Sequence, residues 1–194
     1  RLADHAAVRI ELDHRQGFNH LHAHIRQRDA LGEDRLTQDP DKVEKNPTFS
    51  PDSSYIAYTK DNDLFTYNLK TQKETRLTTD GTKTILNGYA TWVYWEEIFG
   101  RGTAFRAFWW SPDSKYIAFM RFDDSRVPVF PIYVPEGRHG SLENHRYPKA
   151  GDENPEVMLG IFSLEDTATT WANFDPAADQ YFGKPIWTPD NQLW

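Results

Sequence analysis

Residues 46–69 read NPTFSPDSSYIAYTKDNDLFTYNL, and this stretch decides the fold because it recurs. AFWWSPDSKYIAFMRFDDSRVPVFPIY (107–133) and KPIWTPDNQLW (184–194) repeat its order: an aromatic residue, Ser or Thr, Pro, Asp, a polar turn and an apolar run. Proline presets φ for a tight turn and aspartate accepts backbone N–H bonds there, so Ser-Pro-Asp joins the end of one strand to the start of the next. YIAY (55–58) and YIAFM (116–120) read as the strands that follow. DLFTYNLKTQKETRLT (63–78) reads as a hairpin, with apolar Leu64, Phe65 and Tyr67 ahead of a polar turn at 70–73, and VMLGIFSLEDTATTWANF (157–174) repeats it.

Helical periodicity is nearly absent, so the expectation is an all-β chain of four-stranded units, either a propeller or a sandwich; the repeat favours the β-propeller. The repeat prolines, Pro51, Pro112 and Pro189, are 61 and 77 residues apart, somewhat longer than a bare blade needs. Three motif copies imply about three to four blades, whereas a closed ring takes roughly 4 to 8. The chain stops inside a strand at Trp194 and starts at Arg1 rather than Met, so residues 1–194 are expected to be part of a larger propeller domain. Residues 84–104 and 126–156 are too long for simple turns and rich in aromatics and prolines, as functional insertions often are.

Bulk composition narrows the function. A hydrophobic content of 38% with 14% aromatics is enough for a packed core. The 22 Lys and Arg against 29 Asp and Glu leave a net charge of −7, with no basic stripe, which argues against a nucleic-acid partner and suits cationic ligands. There is no cysteine, which excludes disulfides, thiolate nucleophiles and cysteine-based zinc sites but does not fix the compartment. No apolar run approaches the roughly 20 residues of a membrane span, and RLADHAAVRIELDH lacks the apolar centre of a signal peptide.

NGYATWVYWEEIFG (87–100) sets Glu96 and Glu97 beside Trp92, Tyr94 and Trp95. Adjacent carboxylates repel and are costly to desolvate, so the pair is either solvated on a turn near the rim or holds a cation. An ammonium has three donors, and two carboxylates take two of them by charge-assisted hydrogen bonds; this is recognition, not catalysis. HLHAH (20–24) places His20, His22 and His24 on one face of a strand, a spacing that suits a transition metal or, alternatively, a polar strand facing solvent. No Gly-x-Ser-x-Gly elbow and no Gly-rich phosphate loop occurs.

NPTFSPDSSYIAYTKDNDLF, ILNGYATWVYWEEIFG, AFWWSPDSKYIAFMRFDDSRVPVFPI and RYPKAGDENPEV together make the chain resemble the N-terminal β-propeller of the dipeptidyl peptidase IV family of serine exopeptidases, in a bacterial member. Ser-Pro-Asp repeats are shared with TolB-like propellers; Trp-Val-Tyr-x-Glu-Glu followed by Tyr-Pro-Lys-Ala-Gly is far more specific. The resemblance implies that Glu96 and Glu97 lie on a short helical insertion and bind the free α-amine of a peptide substrate. They would measure off two, or in relatives three, residues, with the aromatics shaping the cavity. Trp95 stands where many relatives have a third glutamate. An arginine on an earlier strand holds a substrate carbonyl in the family, and Arg15 in DHRQGFNH falls near that place, with Phe18 beside it.

The resemblance further implies that the Ser, Asp and His triad, cleaving after proline or alanine, resides in a C-terminal α/β-hydrolase domain absent from this chain. No catalytic residue, cofactor or metal is therefore assigned within residues 1–194. A homodimer and a periplasmic, secreted or membrane-anchored location are implied in the same way. The alternatives are a TolB-like propeller that only binds proteins and a metallohydrolase using His20, His22 and His24.

Overall fold

The computed structural model describes residues 42–194 together with Thr37, and before them the backbone of three strands, β1 (Ala7–Asp13), β2 (His22–Asp29) and β3 (Gly32–Arg35). Four further strands, β4 (Glu44–Phe49), β5 (Tyr55–Lys60), β6 (Asp63–Asn68) and β7 (Lys73–Arg76), run as an antiparallel meander. β4 also pairs with β2, so the sheet continues through β2 to β1, with β3 on a side branch. A second sheet is built on β10 (Tyr116–Asp123), after β8 (Ile85–Asn87) and β9 (Phe108–Trp110). Between its inner and outer strands stands a separate hairpin, β11 (Val129–Val134) and β12 (Ser141–Arg146), and β13 (Glu156–Ser163) and β14 (Ala168–Trp171) complete it.

The turns repeat as their sequence does. In the first, the Ser50 hydroxyl donates to Asp52 at 2.7 Å and the Ser54 amide donates to the same carboxylate at 3.0 Å. Ser111 and Asp113 reproduce the first bond at 2.7 Å, and Thr188 and Asp190 at 2.6 Å. The residue after each aspartate, Ser53, Ser114 or Asn191, is left-handed, with φ of 60°, 63° and 61°. Successive turns also touch: the Asp52 amide donates to the Ser114 hydroxyl at 3.1 Å, and the Asp113 amide to Asn191 Oδ1 at 3.2 Å. The repeat is thus a structural step, each turn seated on the next as between neighbouring blades.

Packing explains why the strand sequences do not alternate. On β10, Ile117 and Phe119 face the first sheet and pack with Ala57, Leu64, Phe108 and Phe162. Ala118, Met120 and Phe122 face the opposite way, into a cluster with Tyr94, Trp109 and Val157. A strand buried on both faces reads as a continuous apolar run, and each such side chain contributes about 2 kcal/mol. β6 behaves alike: Leu64 faces the second sheet, while Phe65 and Tyr67 join Ile56 and Tyr58 on the other side.

The units are not uniformly four-stranded. β9 pairs with Ile117–Phe119 and β8 with Arg121–Asp123, so two short strands share one edge of β10. The inner strand is split because the chain leaves it at Gly88 and returns at Ala107, whose amide donates to the Gly88 carbonyl at 2.9 Å and closes the neck of an insertion. The neck is anchored by buried Asp63, which accepts from the Thr78 hydroxyl at 2.6 Å, the Gly81 amide at 3.0 Å, Asn87 Nδ2 at 3.1 Å and Arg76 Nε at 3.1 Å. Among the described residues the sheets close no ring.

Candidate functional site

Both long insertions belong to the second sheet, and they meet. The first, residues 88–107, carries a helical turn whose Trp95 amide donates to the Thr91 carbonyl at 3.0 Å. The turn then widens over Tyr94–Ile98, where the Phe99 amide reaches back five residues to the Tyr94 carbonyl at 2.8 Å. Such a widened turn is held by packing, not propensity. Tyr94 is fully buried against Phe122 at 4.9 Å and Phe99 at 5.8 Å. Its hydroxyl accepts the Phe182 amide at 3.1 Å, and burial pushes the phenol up to about 12. Trp95 stacks on Phe105 at 4.3 Å, and Trp92 meets Trp95 edge-on at 5.3 Å. This aromatic anchor fixes the turn that carries Glu96 and Glu97.

The two glutamates are not equivalent. Glu96 is largely covered; its Oε2 accepts the Trp92 indole N–H at 2.6 Å, and its Oε1 pairs with the Arg101 guanidinium. Glu97 is exposed, and the Tyr147 hydroxyl donates to its Oε1 at 3.4 Å. Repulsion within the pair is therefore relieved on one side only: Glu96 has a counter-ion and Glu97 keeps an open carboxylate toward solvent.

Tyr147 follows β12, in the second insertion, and His145 on that strand lies 4.4 Å from Trp92. Trp92, Glu96, Phe130, Ile132, His145 and Tyr147 line a cavity of about 180 Å³, apolar except at the glutamate end. A second hollow of about 260 Å³ lies across the Trp92 and His145 pair and includes Thr91, Asp124 and Arg146. Asp124 is almost wholly buried there; burial pushes its carboxyl up to about 7, against the opposing influence of the Thr91 hydroxyl and Arg146.

Of the residues singled out in the sequence, Glu96 and Glu97 lie together on the helical insertion. Arg15 and Phe18 lie outside the described residues, as does His20. His22 and His24 fall two positions apart on β2, and among the described residues no group of three or more His, Asp or Glu side chains is placed to hold a metal. Sequence reading missed the roles of Trp92, Arg101, His145 and Tyr147 around the pair. Tyr147 had a signal, since it opens the Tyr-Pro-Lys-Ala-Gly stretch; Arg101 had none, being one of two arginines in the first insertion with nothing in its neighbours to mark it.

Residues 11–194 match the family model described as the dipeptidyl peptidase IV N-terminal region. A probable dipeptidyl-aminopeptidase B of Talaromyces stipitatus is 42% identical over 161 residues, 75% of this chain and 18% of that protein. Dipeptidyl aminopeptidase B of Saccharomyces cerevisiae is 37% identical over 123 residues, 61% of this chain and 15% of its own. Among solved structures, dipeptidyl peptidase 4 of Porphyromonas gingivalis superposes with a TM-score of 0.69 at 30% identity, over 87% of this chain and 24% of that one. A putative dipeptidyl aminopeptidase IV from Bacteroides ovatus follows at 0.63 and 25%, over 87% and 22%. The chain spans less than a fifth of the length of these curated relatives.

Proposed function

This chain belongs to the dipeptidyl peptidase IV N-terminal region family, and on that premise we propose that it is the substrate-recognition part of a serine exopeptidase, with Glu96 and Glu97 receiving the α-amine of a peptide. The observation that carries the reading is the asymmetric carboxylate pair: Glu96, oriented by Trp92 and paired with Arg101, lines one end of an otherwise apolar cavity, and its neighbour Glu97 is open beside Tyr147, which lines the same cavity. A primary ammonium at that end exchanges water for two charge-assisted hydrogen bonds, and a blocked N-terminus loses both the charge and the donors. Because the pair stands at a fixed place, it sets how much peptide extends from the N-terminus to a nucleophile, which gives release of dipeptides, or tripeptides, after proline or alanine.

The nucleophile, in this proposal, is the serine of a triad in a C-terminal α/β-hydrolase domain. A homodimer in an exported compartment completes it; exposed Val129, Tyr133 and Leu142 on the β11 and β12 hairpin offer apolar surface for a subunit contact. Light scattering and cell fractionation check these two points.

The deciding experiment is hydrolysis of Gly-Pro and Ala-Pro chromogenic substrates, free or N-acetylated, by the full-length enzyme and its Glu96→Gln and Glu97→Gln variants. Expected is release from the free amines alone and a loss of kcat/KM of about a hundredfold in either variant. Absence of release from both substrate forms would leave a protein-binding propeller as the better account.

A further inference from the structure

The Arg101 guanidinium already occupies the carboxylate that a substrate amine has to use. It pairs with Glu96 Oε1 while 65% of its own side chain stays exposed, so it is a mobile group resting on a fixed one, Glu96 being 19% exposed. Its position is imposed by the backbone. Gly100 and Arg101 follow the helical turn in left-handed geometry, with φ of 68° and 64°, and the Arg101 amide donates to the Trp95 carbonyl at 2.8 Å. Glycine adopts that conformation freely; arginine does so at a penalty of about 1 kcal/mol. The strained residue is turned back over the helix, where its guanidinium also lies 5.8 Å from the Trp95 ring. Left-handed non-glycine residues beside a candidate site are a reason to ask what their side chains do there.

Resting on the reading of Glu96 and Glu97 as the amine site, we infer that Arg101 is an internal competitor for it, a specificity-determining residue that sets how tightly an N-terminal ammonium is held. Glu96 presents two oxygens; Trp92 engages one and Arg101 the other. An arriving ammonium finds Glu97 open but must share or displace the guanidinium at Glu96, and until it does so the two cations repel at close range. Simple amines are thereby held weakly, and only a ligand anchored elsewhere along the cavity brings its ammonium in at high effective concentration.

The test is steady-state kinetics of the full-length enzyme on a free-amine Ala-Pro chromogenic substrate, with n-butylammonium as a competing amine. Arg101→Gly fits the left-handed backbone and removes the cation; it is expected to lower KM and the inhibition constant of the amine about threefold to tenfold, the gain lying in KM rather than kcat. Arg101→Lys, which retains the charge, stays near the parent value. In a Glu96→Gln background the Arg101→Gly gain disappears. KM unchanged or raised in Arg101→Gly, or an equal gain without the Glu96 carboxylate, overturns the competitor role while leaving the amine site intact. If Glu96→Gln and Glu97→Gln themselves leave kcat/KM unaltered, the amine-site reading has failed, and the inference with it.

Discussion

The Trp92 indole N–H donates to Oε2 of Glu96 at 2.6 Å while the same ring lies 4.4 Å from the His145 imidazole. One side chain thus orients a carboxylate of the proposed amine site and ties together the two insertions around it. Trp92→Phe keeps an aromatic ring against His145 and removes the donor. The expected result in the full-length enzyme is a KM about fivefold higher for free-amine substrates, with little change in melting temperature. Michaelis–Menten kinetics and a thermal melt check it; an unaltered KM would mean that the Trp92 donor is not needed to orient Glu96.

Asp63 binds the loop that leads into the first insertion. Its carboxylate accepts hydrogen bonds from Thr78, Gly81, Asn87 and Arg76. Asp63→Ala leaves the Thr78 hydroxyl and the Gly81 amide without this acceptor, while Asn87 keeps Asp80 and half-exposed Arg76 keeps the Thr78 carbonyl, so a loss of about 2 kcal/mol is expected. Urea denaturation measures it, and a loss below about 1 kcal/mol contradicts the anchoring role.

Gly160 tests the packing between β10 and β13. A Cβ there would come within 2.8 Å of the Phe119 ring, which is fully buried and has no room to withdraw. Gly160→Ala is expected to destabilise by about 1–3 kcal/mol, whereas Gly102→Ala, with open space around it, stays within about 0.5 kcal/mol of the parent. Comparing the two denaturation midpoints separates a steric cause from a general intolerance of alanine.

Asp124 gives stability a defined pH dependence. Burial raises its folded carboxyl to about 7, whereas an unfolded aspartate titrates near ~3.9. Below roughly pH 4 both states are protonated and the residue contributes nothing. Between about 4 and 7 only the unfolded chain ionises, so stability falls, and above 7 the loss is complete. Asp124→Asn removes this dependence. Its stability relative to the parent should rise by on the order of 4 kcal/mol from pH 4 to pH 8; parallel profiles in paired denaturation series would show that the Asp124 carboxyl is not raised in the folded protein.

Much of the fold was legible because its signals are local. Ser-Pro-Asp forms its turn from hydrogen bonds within five residues, as Ser50 to Tyr55 and Ser111 to Tyr116 show, and needs no distant partner to do so. The hairpin read over 63–78 appears as β6 and β7, and that over 157–174 as β13 and β14. The split inner strand was not legible. β8 and β9 are three residues each, and only the edge of β10 aligns them.

The sequence by itself determined an all-β chain of repeated Ser-Pro-Asp units, two long insertions and an adjacent glutamate pair among tryptophans, because turn geometry, strand patterning and residue adjacency are properties of neighbours along the chain. The tertiary structure decided which glutamate is open. Tyr147 reaches Glu97 across 50 positions of sequence, and Arg101 reaches Glu96 only because two left-handed residues fold the loop back. Contacts of that kind depend on where packed elements bring side chains in space, and no local pattern encodes the position of a charge relative to a distant partner.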